Sequence, residues 1–438
     1  MTAPKIIVLD DDPTGSQTVH SCLLLTRWDV ATLKTALADA APLFFILTNT
    51  RGMDAAEAAA VTREVCENLQ CALTDHAGPV LFVSRSDSTL RGHYPVETDV
   101  MNIVLGPYDA TLLTPAFFEG GRITRNSTHY LIVDGKPVPT HETEFARDSV
   151  FGYRSAYLPD YVAEKTQGRV TAHTVQRLTL DILRAGKTGD WLAALQDNAV
   201  GVVDGETPAD YQLFADAVLA AAAGGKRLLF RSAASLLTAL AKLPPQPISA
   251  EAFSTLVRNQ KPGAVIVGSH VAKTTAQLSA LLHQRGVIGL PLNVARLPDA
   301  HAEVVDELVA SIAHVHARGL TPVVYTSRTE RQFASVAARL QFGAAVSAAL
   351  MDVVRRLPTT LGYLISKGGI TSNDVLSKGL ALSVSRVLGQ ILPGVTVVQT
   401  PPDHSHLPGL PVVIFPGNVG DERALAVAVR RLAPATRQ

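Results

Sequence analysis

The sequence predicts an α/β protein of two domains, each on a mainly parallel sheet, with an active-site cleft between them. Three observations carry this. Short Val/Ile/Leu/Phe runs alternate with Ala-rich helical stretches along the whole chain. At 438 residues it exceeds the size at which one hydrophobic core keeps growing. The Pro-rich stretch Leu243-Pro244-Pro245-Gln246-Pro247 interrupts the alternation and reads as a linker. The first domain is placed at residues 1–245 and the second at 255–438.

In the first domain the apolar runs predict strands at 5–9, 22–26, 43–48, 80–84, 110–114, 169–174, 199–203 and 227–230. Helices are expected between them, notably at 55–73 and 208–222. The stretch 128–138 differs: a strand meets Asp134-Gly135, the pair that favours a hairpin turn. In the second domain strands are expected at 264–268, 287–292, 322–326, 361–365, 395–398 and 411–415. Strands separated by helices imply parallel βαβ units, which gather ligands at the carboxyl ends of their strands.

Composition narrows the function. Hydrophobic residues make up 47% of the chain, and 39 Lys plus Arg balance 39 Asp plus Glu. No global field draws the chain to nucleic acid or to an anionic membrane, so an anionic ligand must be held by local chemistry. The three cysteines, Cys22, Cys66 and Cys71, are too few for a disulfide framework or a four-thiolate metal site. The first residues run into a strand without the apolar stretch of a signal peptide, and no helical stretch reads as a membrane span. A cytoplasmic protein is expected, and a homodimer is compatible with the sequence.

Three strand ends of the second domain carry phosphate-type turns: Gly268-Ser269, Gly368-Gly369-Ile370-Thr371 and Pro416-Gly417-Asn418. Glycine lets backbone amides approach an anion, and a following helix directs its positive end there. Three such turns in one domain suit a nucleotide-sized polyanion. There is no Walker A motif, since Gly224-Gly225-Lys226 is followed by Arg227, and no Gly-x-Gly-x-x-Gly.

The first domain carries two clusters at strand ends. Asp10-Asp11-Asp12-Pro13-Thr14-Gly15 sets three carboxylates side by side, which repel unless a cation, a substrate hydroxyl or a helix cap compensates them. Ser84-Arg85-Ser86-Asp87-Ser88-Thr89-Leu90-Arg91 offers guanidinium groups for a carboxylate and hydroxyls for a polyol. Asn49, Thr50 and Arg51 end a third strand. His141-Glu142-Thr143-Glu144-Phe145 lacks the second histidine of a zinc helix.

Taken together, Asp11-Asp12-Pro13-Thr14-Gly15, Asp87-Ser88-Thr89-Leu90-Arg91-Gly92, Gly268-Ser269, Gly368-Gly369-Ile370-Thr371-Ser372, Gly389-Gln390-Ile391-Leu392-Pro393-Gly394-Val395 and Pro416-Gly417-Asn418 resemble the four-carbon acid sugar kinase family across essentially the whole chain. The resemblance implies a sugar-acid-binding first domain and a nucleotide-binding second one. It implies that Ser269, Gly368, Gly369, Ile370, Thr371, Gly417 and Asn418 bind ATP. It implies that the regions of Asp11 and of Asp87, Ser88, Thr89 and Arg91 face a sugar acid of the threonate, erythronate or 3-oxo-tetronate type, and Asp12, Asn49, Arg51 and Arg85 at the neighbouring strand ends are further candidates to bind it. Mg²⁺ would bridge the phosphates, and Asp11 or Asp87 would accept the proton of the terminal hydroxyl. The chain departs from many relatives at Ile370, where they carry Glu beside the phosphates, and at Arg85, where they carry Lys; its metal ligands stay unassigned. Two rival readings are an aspartate-nucleophile phosphatase using Asp10 and Asp12, and a non-catalytic metabolite-binding protein.

Overall fold

The computed structural model describes residues 3–328 and 335–433. The chain divides into two compact units, Met1–Pro244 and Pro245–Gln438.

The first unit holds eleven strands in chain order: β1 Lys5–Asp10, β2 Leu23–Leu25, β3 Leu43–Leu47, β4 Val80–Arg85, β5 Ala110–Thr114, β6 Arg122–Arg125, β7 Thr128–Val133, β8 Lys136–Pro139, β9 Gln176–Leu178, β10 Ala199–Val203 and β11 Leu228–Ser232. Eight of them form an all-parallel run in the order β2-β3-β1-β4-β11-β5-β10-β9. Near-continuous apolar strands such as Leu-Phe-Phe-Ile-Leu in β3 suit a sheet covered on both faces. The helices start where the sequence supplies caps. Asp54 and Glu57 close a capping box on Ala55–Leu73, and Thr207 and Asp210 do so on Pro208–Ala223, with Pro at its first position. β6, β7 and β8 form a separate antiparallel meander, so the expected hairpin gains a third strand; Asp134 and Gly135 both turn with positive φ.

The second unit holds β12 Ala264–Val267, β13 Val287–Pro291, β14 Thr321–Tyr325, β15 Leu364–Lys367, β16 Val384–Leu392, β17 Val395–Gln399 and β18 Pro411–Phe415. Their order is β13-β14-β12-β15-β18-β17-β16, parallel as far as β18 and antiparallel from there. A core of Val265, Val267, Leu278, Leu281, Ile365, Val413, Phe415 and Leu425 fills the space beneath the sheet.

Two expectations need correction. The apolar stretch at 169–174 is no strand: Gly168 takes a positive φ after the helix Leu158–Lys165, Thr166 Oγ1 accepts from the Val170 amide, and the strand begins only at Gln176. The run at 361–365 enters the sheet late, at Leu364. β16 was not anticipated at all.

Both sheets place the chain's ligand-type turns at a change of winding direction. In the first unit the chain leaves β1 to one side for β3 and to the other for β4. In the second it leaves β12 for β14 on one side and for β15 on the other. The crevice outside the carboxyl ends of such strands is where open α/β sheets bind ligands.

Candidate active site

In the first unit the ends of β1, β4 and β11, with the turn after β3, bring together a network of acids and arginines. Arg51 grips Asp11 with two nitrogens, Nη2 to Oδ1 at 2.5 Å and Nε to Oδ2 at 3.2 Å. Its Nη1 reaches Asp12 at 3.3 Å and Asp87 Oδ1 at 4.0 Å. Arg51 thus meets Asp11 and Asp12, and Arg85 meets Asp10, so two guanidiniums answer the repulsion that the run of three acids implies. Ser86 Oγ donates to Asp11 Oδ2 at 2.6 Å, so both Asp11 oxygens are engaged, and Asp11 is buried. That arrangement makes Asp11 an anchor for Arg51.

Asp87 is placed differently. Its Oδ2 accepts from Arg91 Nε at 2.8 Å, from the Thr89 amide at 3.2 Å and from the Thr89 hydroxyl. Among the described residues its Oδ1 meets only Arg51, at 4.0 Å, and the side chain keeps 14% of its exposure. Burial pushes the Asp87 carboxyl up, but Arg51 and Arg91 outweigh it and hold the group well below the usual carboxylate range. Burial likewise pushes Asp12 up, and Arg51, Arg85 and the Thr14 hydrogen bonds bring it below its ordinary value.

Arg85, expected to anchor a substrate carboxylate, is instead spent inside the fold. Its side chain is 4% exposed and Nη1 donates to Asp10 Oδ1 at 3.0 Å. Asp10 is fully enclosed, and burial pushes its carboxyl up to about 7 against the pull of Arg85. A Cβ on Gly15 would sit 1.9 Å from Asp10 Oδ2, so glycine is what lets the turn close over that carboxylate. Asn49 takes a left-handed turn with its amide on the Asp10 carbonyl at 3.4 Å. Ser88 and Thr89 are buried in the loop after β4; the Ser88 carbonyl accepts from His129 Nε2 at 2.8 Å.

Arg231 and Glu97 escaped the sequence reading. Arg231 Nη1 donates to Glu97 at 2.6 Å and to Ser84 at 2.7 Å, while Nη2 donates to Ser86 at 2.8 Å. Thr50 Oγ1 donates to the other Glu97 oxygen at 2.6 Å. Gly92, at φ +119°, packs where a Cβ would lie 2.4 Å from Ser86 Oγ and 2.9 Å from Asp11 Oδ2. A cavity of about 20 Å³, room for a single water, lies among Ser86, Asp87, Arg91, Tyr161 and Arg231. The one available signal was an arginine inside the apolar strand Leu-Leu-Phe-Arg-Ser, a position that needs a buried partner.

In the second unit the three glycine-bearing turns meet. A Cβ on Gly268 would lie 2.1 Å from Thr371 Oγ1, and one on Gly368 2.9 Å from Ser269 Cβ; from Gly417 the Ser269 hydroxyl would be 3.4 Å away. Gly368 carries φ +115°, and Gly369 opens the short helix Gly369–Asp374. Thr274 Oγ1 ties the turns together, at 3.3 Å from Ser269 Oγ and 3.1 Å from the Gly417 carbonyl. Arg328 donates to the Ser269 carbonyl at 2.6 Å and to Thr326 Oγ1 at 2.8 Å. Lys367 is wholly buried. Its Nζ donates to the carbonyls of Pro416 and Gly417 and stands 4.2 Å from the centre of the Phe415 ring. Burial, with a smaller push from Lys273, lowers its ammonium to about 7.

Two of these turns, Gly268-Ser269 and Gly368 to Thr371, line a cavity of about 820 Å³, within the range of small-molecule sites. Gly268, Ser269, Thr326, Gly368, Gly369 and Thr371 edge it, and Val271, Val294, Phe342, Val346, Leu350, Met351 and Ile370 provide an apolar wall. Ile370 stands 74% exposed there, and Asn418 is exposed on the third turn. Among the described residues no group of three or more His, Cys, Asp or Glu is placed to hold a metal ion. Nor, among them, is any helix long and apolar enough to cross a membrane.

Two α/β units, one with a network of acids and arginines and one with a cavity beneath converging glycine turns, define a class of two-domain ligand-binding proteins. Residues 6–240 match the model of a sugar-binding N-terminal domain, and residues 264–425 that of a nucleotide-binding C-terminal domain. The chain belongs to the four-carbon acid sugar kinase family. It is 30% identical over 189 residues to a D-erythronate kinase of Heliobacterium modesticaldum, covering 42% of this chain and 40% of the relative. It is 32% identical over 167 residues to a D-threonate kinase of Bordetella bronchiseptica, covering 36% of this chain and 39% of the relative. The matches thus span about two fifths of the length of these relatives. A solved structure from Salmonella typhimurium LT2 is 20% identical with a TM-score of 0.69, covering 97% of this chain and 98% of that one. One from Haemophilus influenzae is 18% identical with a TM-score of 0.66, covering 97% and 100%. At these identities the likeness shows the fold.

Proposed function

We propose that the chain is an ATP-dependent kinase that phosphorylates the terminal hydroxyl of a four-carbon sugar acid of the threonate, erythronate or 3-oxo-tetronate type. The observation that carries the reading is the meeting of three glycine-bearing turns, two of which edge an 820 Å³ cavity with an apolar wall. Such a space suits phosphates at the turns and a flat base against Val271, Val346 and Ile370. The family's curated kinases act on erythronate and threonate by name, which supports a sugar acid as the acceptor.

Phosphoryl transfer asks the protein mainly for positioning and charge neutralisation. Backbone amides of the three turns hold the phosphates, with Mg²⁺ as the nucleotide's own counter-ion. In the first unit Asp87 is the group that orients the attacking hydroxyl and takes its proton, because its Oδ1 is the carboxylate oxygen left open. Asp11 and Asp12 hold Arg51 in place. The phosphatase reading finds no support in Asp10, which lies enclosed beneath Gly15 and paired with Arg85.

A coupled ADP-release assay over D-erythronate, D-threonate and 3-oxo-tetronates tests the proposal. Turnover of at least one acid is expected, with ATP consumed in equal amount. Binding of an acid without ADP release would favour a metabolite-binding protein, and a phosphoaspartate trapped at Asp10 would favour the phosphatase.

A further inference from the structure

Five arginines gather around the acids of the first unit, and four of them are neutralised. Arg51 faces Asp11, Asp12 and Asp87; Arg85 faces Asp10; Arg91 faces Asp87 and Asp148; Arg231 faces Glu97. Arg122 is the exception: among the described residues it is paired with no carboxylate. It opens β6, where its amide and carbonyl bond both ways with Phe117, at 2.8 and 2.9 Å. The guanidinium carbon lies 6.0 Å from the centre of the Phe117 ring, and Nη1 donates to the Gly120 carbonyl. Room for it is made by Gly120, where a Cβ would come within 2.5 Å of Nη1 and of the ring. Nε is buried with no hydrogen-bond partner.

A half-buried guanidinium with an unanswered donor is costly, and a fold that keeps one has a use for it. Burial lowers its basicity, and the fields of Asp87, Arg91 and Glu144 reach it without amounting to an ion pair. Asp87 is the acid assigned above to the attacking hydroxyl. A four-carbon sugar acid bonded to Asp87 through its terminal hydroxyl carries a carboxylate a few bonds away.

We propose that Arg122 is the residue that reads the carboxylate of the substrate, an assignment that rests on the sugar-acid kinase reading. Its Nη2, which has no partner among the described residues, then gains a charge-assisted hydrogen bond on binding, and the desolvation already met becomes selectivity for acids over neutral polyols.

The test is calorimetry on the full chain with D-erythronate and with erythritol, which keeps the hydroxyls and lacks the carboxylate. In Arg122→Gln the affinity for erythronate should fall about 10- to 100-fold, as expected for loss of a charged hydrogen-bonding partner, while erythritol binding is unchanged. Arg122→Lys should recover part of the loss, and KM for ATP should hold. The melting temperature of Arg122→Gln should not fall, since an unpaired cation has been removed; a structural arginine would behave oppositely. Retained preference for erythronate in Arg122→Gln, or a melting temperature that drops while both ligands weaken together, overturns the assignment. A wild-type chain that binds or phosphorylates no sugar acid overturns the kinase reading itself, a failure seen before any variant is made.

Discussion

Asp11 and Asp87 both face Arg51, and the different work proposed for them is open to measurement. Asp87→Asn removes the open oxygen that faces the hydroxyl, so kcat for the sugar acid should fall by about two to four orders of magnitude. KM for ATP should stay where it is. Asp11→Asn instead loosens Arg51, and should raise KM for the acid more than it lowers kcat. Equal effects of the two in steady-state kinetics would mean that the network acts as one unit. Lys367 gives a second prediction. Burial lowers its ammonium to about 7 where Nζ donates to the Pro416 and Gly417 carbonyls, and phosphates bound at that turn would raise the value. ATP binding at pH 8 should therefore take up protons, read as a buffer-dependent enthalpy, and Lys367→Met should abolish the uptake. The sign for stability is separate. Folding depresses this group from its ordinary 10.5, so the unfolded chain binds more protons between about 7 and 10.5, and the cost of burying it shrinks as pH rises through that window. Much of this chemistry was legible residue by residue, because carboxylates and guanidiniums at strand ends announce themselves. Arg231 was not, since its partner Glu97 lies 134 positions away and nothing local encodes the pairing.

At the scale of elements, the turn after β15 is the sharpest test of the nucleotide site. Gly368 combines a φ of +115° with a Cβ position 2.9 Å from Ser269 Cβ, so Gly368→Ala strains the backbone and pushes two turns apart at once. ATP affinity should fall at least tenfold while erythronate affinity holds; unchanged ATP binding in a folded variant would leave the glycine a purely local duty. The turns could be read from sequence because Gly, Ser and Thr at the end of an apolar run leave few alternatives. β16 could not. Its buried face carries Ser385, Val387, Gly389 and Ile391, while Val384, Leu388 and Leu392 are only partly buried, so apolar residues fall on both faces and the usual alternation disappears. The stretch at 169–174 failed in the opposite way: Val and Thr suggested a strand where threonine hydroxyls bond the local backbone instead.

Across the whole molecule, each proposed ligand is held by residues of one unit: the acid by Asp87 and Arg122 before Pro244, ATP by the turns after it. Free-energy effects of substitutions that share no partner add. The double variant Gly368→Ala, Arg122→Gln should therefore bind ATP as Gly368→Ala does alone, and bind erythronate as Arg122→Gln does alone. Each affinity should agree to within about 0.5 kcal/mol, roughly twofold, when each ligand is titrated separately. Catalysis need not follow the same rule, because transfer requires both ligands together and a loss of either suppresses turnover. The binary titrations thus measure whether the chain recognises its two ligands as independent tasks. A double variant whose ATP affinity falls well beyond that of Gly368→Ala would place Arg122 in a network shared with the nucleotide turns, and the division of labour between the units would have to be redrawn.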